Sequence, residues 1–182
     1  MKVEQYRGKL PDGVLGQIAE IYLECFTGPP RFETWTREEV ESHIRRFVEG
    51  GADIFAVRDS YDQIVSFGIG IPMADYFGKE EILQEGVSED SYYFAELGTR
   101  QAKRGNGYGA EIHRKRELKA RERGFSRLSV RVRKDNEVNI KLLERAGFAR
   151  VAEYQGEIAG ARAEKYLLVK DLDSTVSKSA NH

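Results

Sequence analysis

Apolar residues return along the chain with two spacings, and the change from one to the other outlines its elements. Val14, Ile18, Ile21, Tyr22 and Cys25 recur at helical spacing behind Asp12, a candidate N-cap. Cys25 lies on that stripe, where a small buried hydrophobe is expected rather than a nucleophile. Thr36 and Glu39 have the separation of a capping box, Trp35 and Val40 that of a hydrophobic staple. Val40, Ile44, Phe47 and Val48 continue the inward face of that helix, which stops at Gly50-Gly51. Alternating or β-rich segments predict strands at residues 3–6, 54–58, 63–73, 92–98 and 125–133, the second and third joined as an antiparallel hairpin. Gly68 and Gly70 inside a strand pattern predict a bulge or the close approach of another group. Residues 136–146 predict a short amphipathic helix ended by Gly147, and residues 148–158 and 161–172 a last hairpin across Ala159-Gly160.

The chain is organised around its middle. The apolar segment Tyr92, Tyr93, Phe94, Ala95 and Leu97 leads through a polar turn into Gly105, Gly107 and Gly109, then into a long charged segment free of Gly and Pro. This order reads as strand, glycine loop, helix. Glycines let an outside group approach the backbone closely, and the first N–H groups of a helix have no partner within it. With the helix dipole they favour a phosphate, so the loop predicts a phosphate-bearing ligand. The following helix has a thin inward stripe of Tyr108, Ile112 and Ala120. Arg116 interrupts that stripe, its stem expected to pack and its head to reach solvent or a phosphate. The remaining charges read as a solvated face rather than a nucleic-acid surface.

Composition narrows the class. A chain of 182 residues fits one domain, expected over residues 1–172 with an insertion at 75–90 and a frayed tail at 173–182. A formal net charge of −1 argues against general attraction to nucleic acid or membrane. One cysteine, a charged N-terminus and the lack of a long apolar run point to a soluble, cytoplasmic protein. His113 has no His or Cys neighbour at metal spacing, and no metal site is expected. The insertion holds Asp75, Glu80, Glu81, Glu85, Glu89 and Asp90 against Lys79, either as a solvated face or as an acidic lid for a cationic substrate.

The glycine loop formally fits a dinucleotide fingerprint, which would make the protein an NAD(P)-binding enzyme. Residues 99–103 separate the loop from its strand, however, and Arg131, Arg133 and Lys134 stand where the ribose-binding acid belongs. The residues from Arg104 to Gly109 also carry the pattern Gln or Arg, two residues, Gly, one residue, Gly or Ala, and downstream stand Asn136-Glu137, Leu142 and Glu144-Arg145-Ala146-Gly147-Phe148. In these two motifs and their spacing the chain resembles the GNAT superfamily of N-acetyltransferases. The resemblance implies an α+β, three-layer fold: a mixed, mostly antiparallel sheet with helices on both faces and a splay between strands 4 and 5. Gly98 suits the bulge that such a splay needs.

The same resemblance implies acetyl-CoA as acetyl donor, with direct transfer to a primary amine of a small molecule or peptide in a ternary complex. Backbone groups of Arg104, Gly105, Asn106, Gly107, Tyr108 and Gly109 would hold the pyrophosphate, and Leu97, Gly98, Thr99 and Asn136 the pantetheine arm. Glu96 is the candidate base, unless strand alternation turns it away into a structural ion pair. The family's usual acid, a Tyr seven residues after the Asn, is replaced by Leu143, leaving Tyr93 or Tyr154 as substitutes, or a thiolate that leaves without a donor. Phe32, Glu33 and Trp35 are candidate acceptor contacts, although for Trp35 the staple is the favoured reading. A non-catalytic CoA-binding module of the same fold is the alternative function. A monomer and a homodimer are both compatible with the sequence.

Overall fold

The computed structural model describes residues 1–29, 31–158 and 161–172, and within them seven strands form one sheet. They are β1 (Lys2–Arg7), β2 (Asp53–Arg58), β3 (Ile64–Pro72), β4 (Tyr92–Thr99), β5 (Arg127–Arg133), β6 (Ala149–Ile158) and β7 (Ala161–Asp171). Their spatial order is β1-β2-β3-β4-β5-β7-β6, with every neighbouring pair antiparallel except β4 and β5. Helices α1 (Asp12–Phe26), α2 (Arg37–Glu49) and α3 (Lys79–Leu83) cover one face, and α4 (Tyr108–Glu122) and α5 (Glu137–Arg145) the other. The arrangement is the expected three-layer α+β fold, and its sheet is not the parallel one a dinucleotide fingerprint requires. The turn at Ala159-Gly160 and the tail at residues 173–182 lie outside the described residues.

Local chemistry sets the element ends. Thr36 Oγ1 accepts from the Glu39 N–H at 3.2 Å while Glu39 Oε2 accepts from the Thr36 N–H at 2.8 Å, which completes the capping box of α2. Asp12 is not the cap of α1: Pro11 holds that place, and its carbonyl accepts from Val14 and Leu15. Residues 75–90 begin in a 3-10 turn and continue through α3, anchored by the buried Tyr76, Ile82 and Val87.

The pairing of β3 with β4 contains the irregularity on which the site depends. Gly70 stands opposite Phe94 and Ile69 opposite Glu96, so Ala95 is an extra residue without a partner. The bulge lies beside Gly70, where a bulge or close approach was expected, whereas Gly98, the other expected bulge, pairs regularly with Phe67. Its lack of a side chain serves that ring, since a Cβ there would lie 2.5 Å from Phe67 Cε1. The bulge changes strand parity. Tyr92 and Phe94 face α4 and α5, and strict alternation would send Glu96 after them. With Ala95 inserted, Glu96 instead faces α2.

Arg116 of α4 holds this irregular stretch. It is 1% exposed, and its Nη1 donates to the carbonyls of Ile69 and Glu96 at 3.1 and 3.0 Å, the two residues that flank the bulge. The guanidinium lies 4.1 Å from the Phe94 ring centroid, and Nη2 donates to His113 Nδ1 at 2.8 Å. The head group expected in solvent or on a phosphate is thus buried against the backbone. Helix α4 comes this close because Gly68 is bare, where a Cβ would lie 2.3 Å from Ile112 Cγ2. Arg116→Met strips both carbonyls and the imidazole of their donor; a loss of about 1–3 kcal/mol is expected from the urea midpoint. A midpoint equal to that of the unmodified protein would refute the clamp.

On α5, Leu143 is fully buried with Ile140 and Phe148 against Leu168. Leu143→Tyr therefore overpacks this cluster, with an expected cost of about 1–3 kcal/mol in unfolding free energy, while coenzyme A affinity measured by calorimetry stays the same. A large loss of coenzyme affinity would place Leu143 on the binding surface instead.

Candidate functional site

Strands β4 and β5 pair only from Tyr92 opposite Leu128 to Phe94 opposite Val130. Beyond that point they separate, and a cleft of about 860 Å³ opens between them, bounded by the glycine loop, α5 and the far ends of β5 and β7. The splay exposes one edge of β4 just where the bulge lies.

Glycine geometry builds the loop side. Gly105 and Gly107 have φ of +81° and +80°, a left-handed conformation that side-chain-bearing residues adopt at a cost. Gly107 is the N-cap of α4, with no side chain satisfying the first amides. Gly109 is helical, and a Cβ there would make only ordinary contacts of 3.6–3.7 Å with Leu97 and Leu142. Asn106 stiffens the loop by donating from Nδ2 to the Lys103 carbonyl at 2.9 Å. Arg104 donates from Nε to the Thr99 carbonyl at 3.3 Å. Among the described residues Arg104 forms no salt bridge. The unpaired N–H groups, this guanidinium and Arg145 on the facing wall make one end of the cleft suited to an anionic group.

The opposite wall comes from α5. Asn136 caps that helix, its Oδ1 accepting from the Asn139 N–H at 3.3 Å, and both residues line the cleft. Asn139 Oδ1 is 3.1 Å from His113 Nε2. Since Arg116 donates to Nδ1, Nε2 carries the proton and donates to Asn139. Burial and the neighbouring Arg116 hold His113 down to about 3, consistent with this neutral tautomer. Arg116, His113 and Asn139 thus link the bulge to the far wall.

Glu96 lines the cleft and is 3.1 Å through Oε1 from His43 Nε2 on α2. His43 in turn lines a shallow depression on the outer surface with Trp35, Glu38, Glu39, Ser42 and Arg46. The pair spans the wall between cleft and solvent. His43 was missed in the sequence because no motif marks it, although it lies one position before Ile44 on the predicted helix.

The other expected residues are placed differently. Tyr93 is 1% exposed, does not line the cleft, and burial pushes its hydroxyl far up. Tyr154 Oη is buried without a hydrogen-bond partner beneath the sheet's α3 side, where burial also raises its pKa. Phe32 is 64% exposed with φ of +50°. Glu33 is buried, accepts from Trp35 Nε1 at 2.8 Å and lies 3.5 Å from Arg31; burial raises its carboxyl pKa. Trp35 packs edge-on against Tyr22 and beside His43. Cys25 is only half-buried, at the cleft margin, with Sγ 3.3 Å from the Thr99 carbonyl, and burial raises its thiol pKa. In the acidic insertion, Glu81 turns inward and accepts from Arg131 Nη1 at 2.7 Å. Burial opposes ionisation there, but Arg131 and Lys165 hold the carboxyl below its usual range.

Among the described residues no group of three or more His, Cys, Asp or Glu could hold a metal ion, and no helix is long and apolar enough to cross a membrane. No curated protein matches the chain in sequence. In structure it is similar to a ribosomal-protein-alanine N-acetyltransferase from Brucella melitensis, with a TM-score of 0.70 and 16% identity over 94% of this chain and 100% of that one. An N-acetyltransferase from Staphylococcus aureus Mu50 gives a TM-score of 0.71 and 13% identity over 95% and 100%. A phosphinothricin acetyltransferase from Sinorhizobium meliloti, solved in complex with AcCoA, gives 0.70 and 13% over 100% and 95%. At these identities the likeness is one of fold. The model of the acetyltransferase (GNAT) family matches residues 15–148, and the chain belongs to that family.

Proposed function

We propose that the protein transfers an acetyl group from acetyl-CoA to a primary amine held beside Glu96. The observation that carries this reading is that one cleft joins a bare, cationic helix start to a carboxylate re-aimed by a bulge. The loop amides from Gly105 to Gly109 and the Arg104 guanidinium suit the coenzyme's phosphates. The edge of β4 freed by the splay offers Leu97, Gly98 and Thr99 as a ladder for the amide-bearing arm, with Asn136 facing it. When bound, the coenzyme supplies the acetyl thioester.

The chain's own contribution is to the proton. An alkylammonium must lose one before its nitrogen can attack, and Glu96 is the cleft carboxylate positioned to accept it. His43 fixes that carboxylate at 3.1 Å and borders the outer depression, which gives the proton a route to solvent away from the substrates. No hydroxyl occurs in the α5 sequence from Glu137 to Arg145, so the departing thiolate has no acid on that wall. A thiol pKa near 8.5 makes this tolerable at neutral pH. The same feature favours the second reading, a coenzyme-binding module without turnover. The structural neighbours' names include both a ribosomal-protein alanine and phosphinothricin, so the fold leaves the acceptor open.

Calorimetry with coenzyme A and with NADPH tests the cofactor: binding of NADPH at micromolar level and none of coenzyme A would end the proposal. Release of free thiol from acetyl-CoA with a panel of polyamines, aminoglycosides, amino acids and peptide N-termini separates enzyme from module, and silence across the panel would favour the module. Glu96→Gln should lower kcat about 10²–10⁴-fold without changing coenzyme A affinity. His43→Ala should lower kcat less, with partial recovery on adding imidazole. An unaltered kcat in the Glu96 variant would remove it from the proton's path.

A further inference from the structure

Besides Glu96, the cleft is lined by a group of cations. Arg131 and Arg133 occupy alternate positions of β5, and Arg133 pairs in register with Lys165 of β7. The three side chains share one face and all line the cleft. Arg133 is held by Asp135 through two hydrogen bonds of 3.0 and 2.6 Å. Arg131 bonds Glu81 at 2.7 Å and the Tyr76 hydroxyl at 3.0 Å.

Lys165 differs from both. Its side chain is 1% exposed, yet among the described residues Nζ has no hydrogen-bond partner. The same Glu81 that Arg131 engages lies 3.5 Å from it, so one negative charge serves two cations. Gly156 lets the Lys165–Glu81 pair pack against the β6 backbone, since a Cβ there would lie 2.6 Å from Nζ and 2.5 Å from Glu81 Oε1, and Lys165 meets open volume only where it lines the cleft. Burial, with Arg131 beside it, pulls the ammonium down to about 8, as an incompletely countered cation should be. A buried donor left unpaired costs free energy, and a ligand that pairs with it recovers that cost.

We infer that the acceptor is a small amine bearing a carboxylate, of amino-acid type, and that Lys165 with Arg131 receives the carboxylate while the amine lies at Glu96. This rests on the acetyl-transfer reading above and narrows it. It differs from the cationic acceptor that an acidic lid would favour, because half-exposed Glu81 of the acidic insertion is engaged by the cationic pair.

The test uses product-side probes on the full chain saturated with coenzyme A: N-acetylglycine, N-acetylphenylalanine and N-acetylmethionine, each beside the acetamide left when its carboxylate is removed. Calorimetry should show the anionic member of at least one pair binding about tenfold or more tighter, the scale of one hydrogen bond to a charged group. Lys165→Met should abolish that preference. Glu81→Gln, which removes the competing carboxylate from a half-exposed position, should enlarge it. A merely structural role would not move the preference in opposite directions. Far-ultraviolet dichroism and melting confirm that each variant is folded; if Lys165→Met is not, the Glu81 variant decides alone. Equal binding within every pair, failure of all anionic probes to bind, or a folded Lys165→Met protein that keeps the preference would overturn the inference. Failure of coenzyme A itself to bind would instead overturn the underlying acetyl-transfer reading.

Discussion

The hydrogen bonds from Arg116 to the carbonyls of Ile69 and Glu96 hold together the irregular stretch of β3 and β4 that borders the cleft. A bulge leaves a strand locally without its ladder, and unpaired carbonyls in a buried sheet are costly. One planar guanidinium meets both, lies on the Phe94 ring, and reaches His113 with its other amino group. Burial pulls it down to about 9, which shows that the charged form is held here against a cost. Lysine could not do the same work, because its compact ammonium lacks the flat face that stacks on Phe94 and the fork that spreads donors over three acceptors.

From that clamp the site follows by parity. Had Ala95 been an ordinary paired residue of β4, Glu96 would face α4 rather than His43. The bulge directs Glu96 to His43, and the end of β4–β5 pairing at Phe94 and Val130 opens the space beside it. The loop with Gly105 and Gly107 in left-handed conformation then delivers the start of α4 to the same opening.

Those parts of the site that rest on local chemistry could be read in the sequence, and those that rest on register could not. Gly105 and Gly107 advertise a conformation that few other residues adopt, Thr36 and Glu39 a reciprocal cap, and Asn136 with Gly147 the two ends of α5. The layered fold followed from the spacing of such signals and the family resemblance they carry. A strand glycine signals equally a bulge or a close neighbour: at Gly70 the irregularity was there, but at Gly98 the glycine answers to the Phe67 ring. Arg116 was assigned the wrong end because its helix position says only that the stem is inward. His43 and Lys165 had no signal at all, since their partners are separated from them by 53 and 84 positions (96 − 43 and 165 − 81).

Arg116 and Lys165 are both buried cations at the cleft, and the contrast between them divides scaffold from recognition. Arg116 has donors on two carbonyls and an imidazole, leaving only Nε without a partner. Its hydrogen-bonding capacity is largely used within the fold, so it has little left for a ligand. Lys165 has used none of its three donors on a hydrogen bond and shares one carboxylate with Arg131. Both are retained despite the desolvation that lowers each of them. For Arg116 the compensation is visible inside the protein. For Lys165 it is not, and the cleft that it lines is the side from which a compensating negative group could reach it.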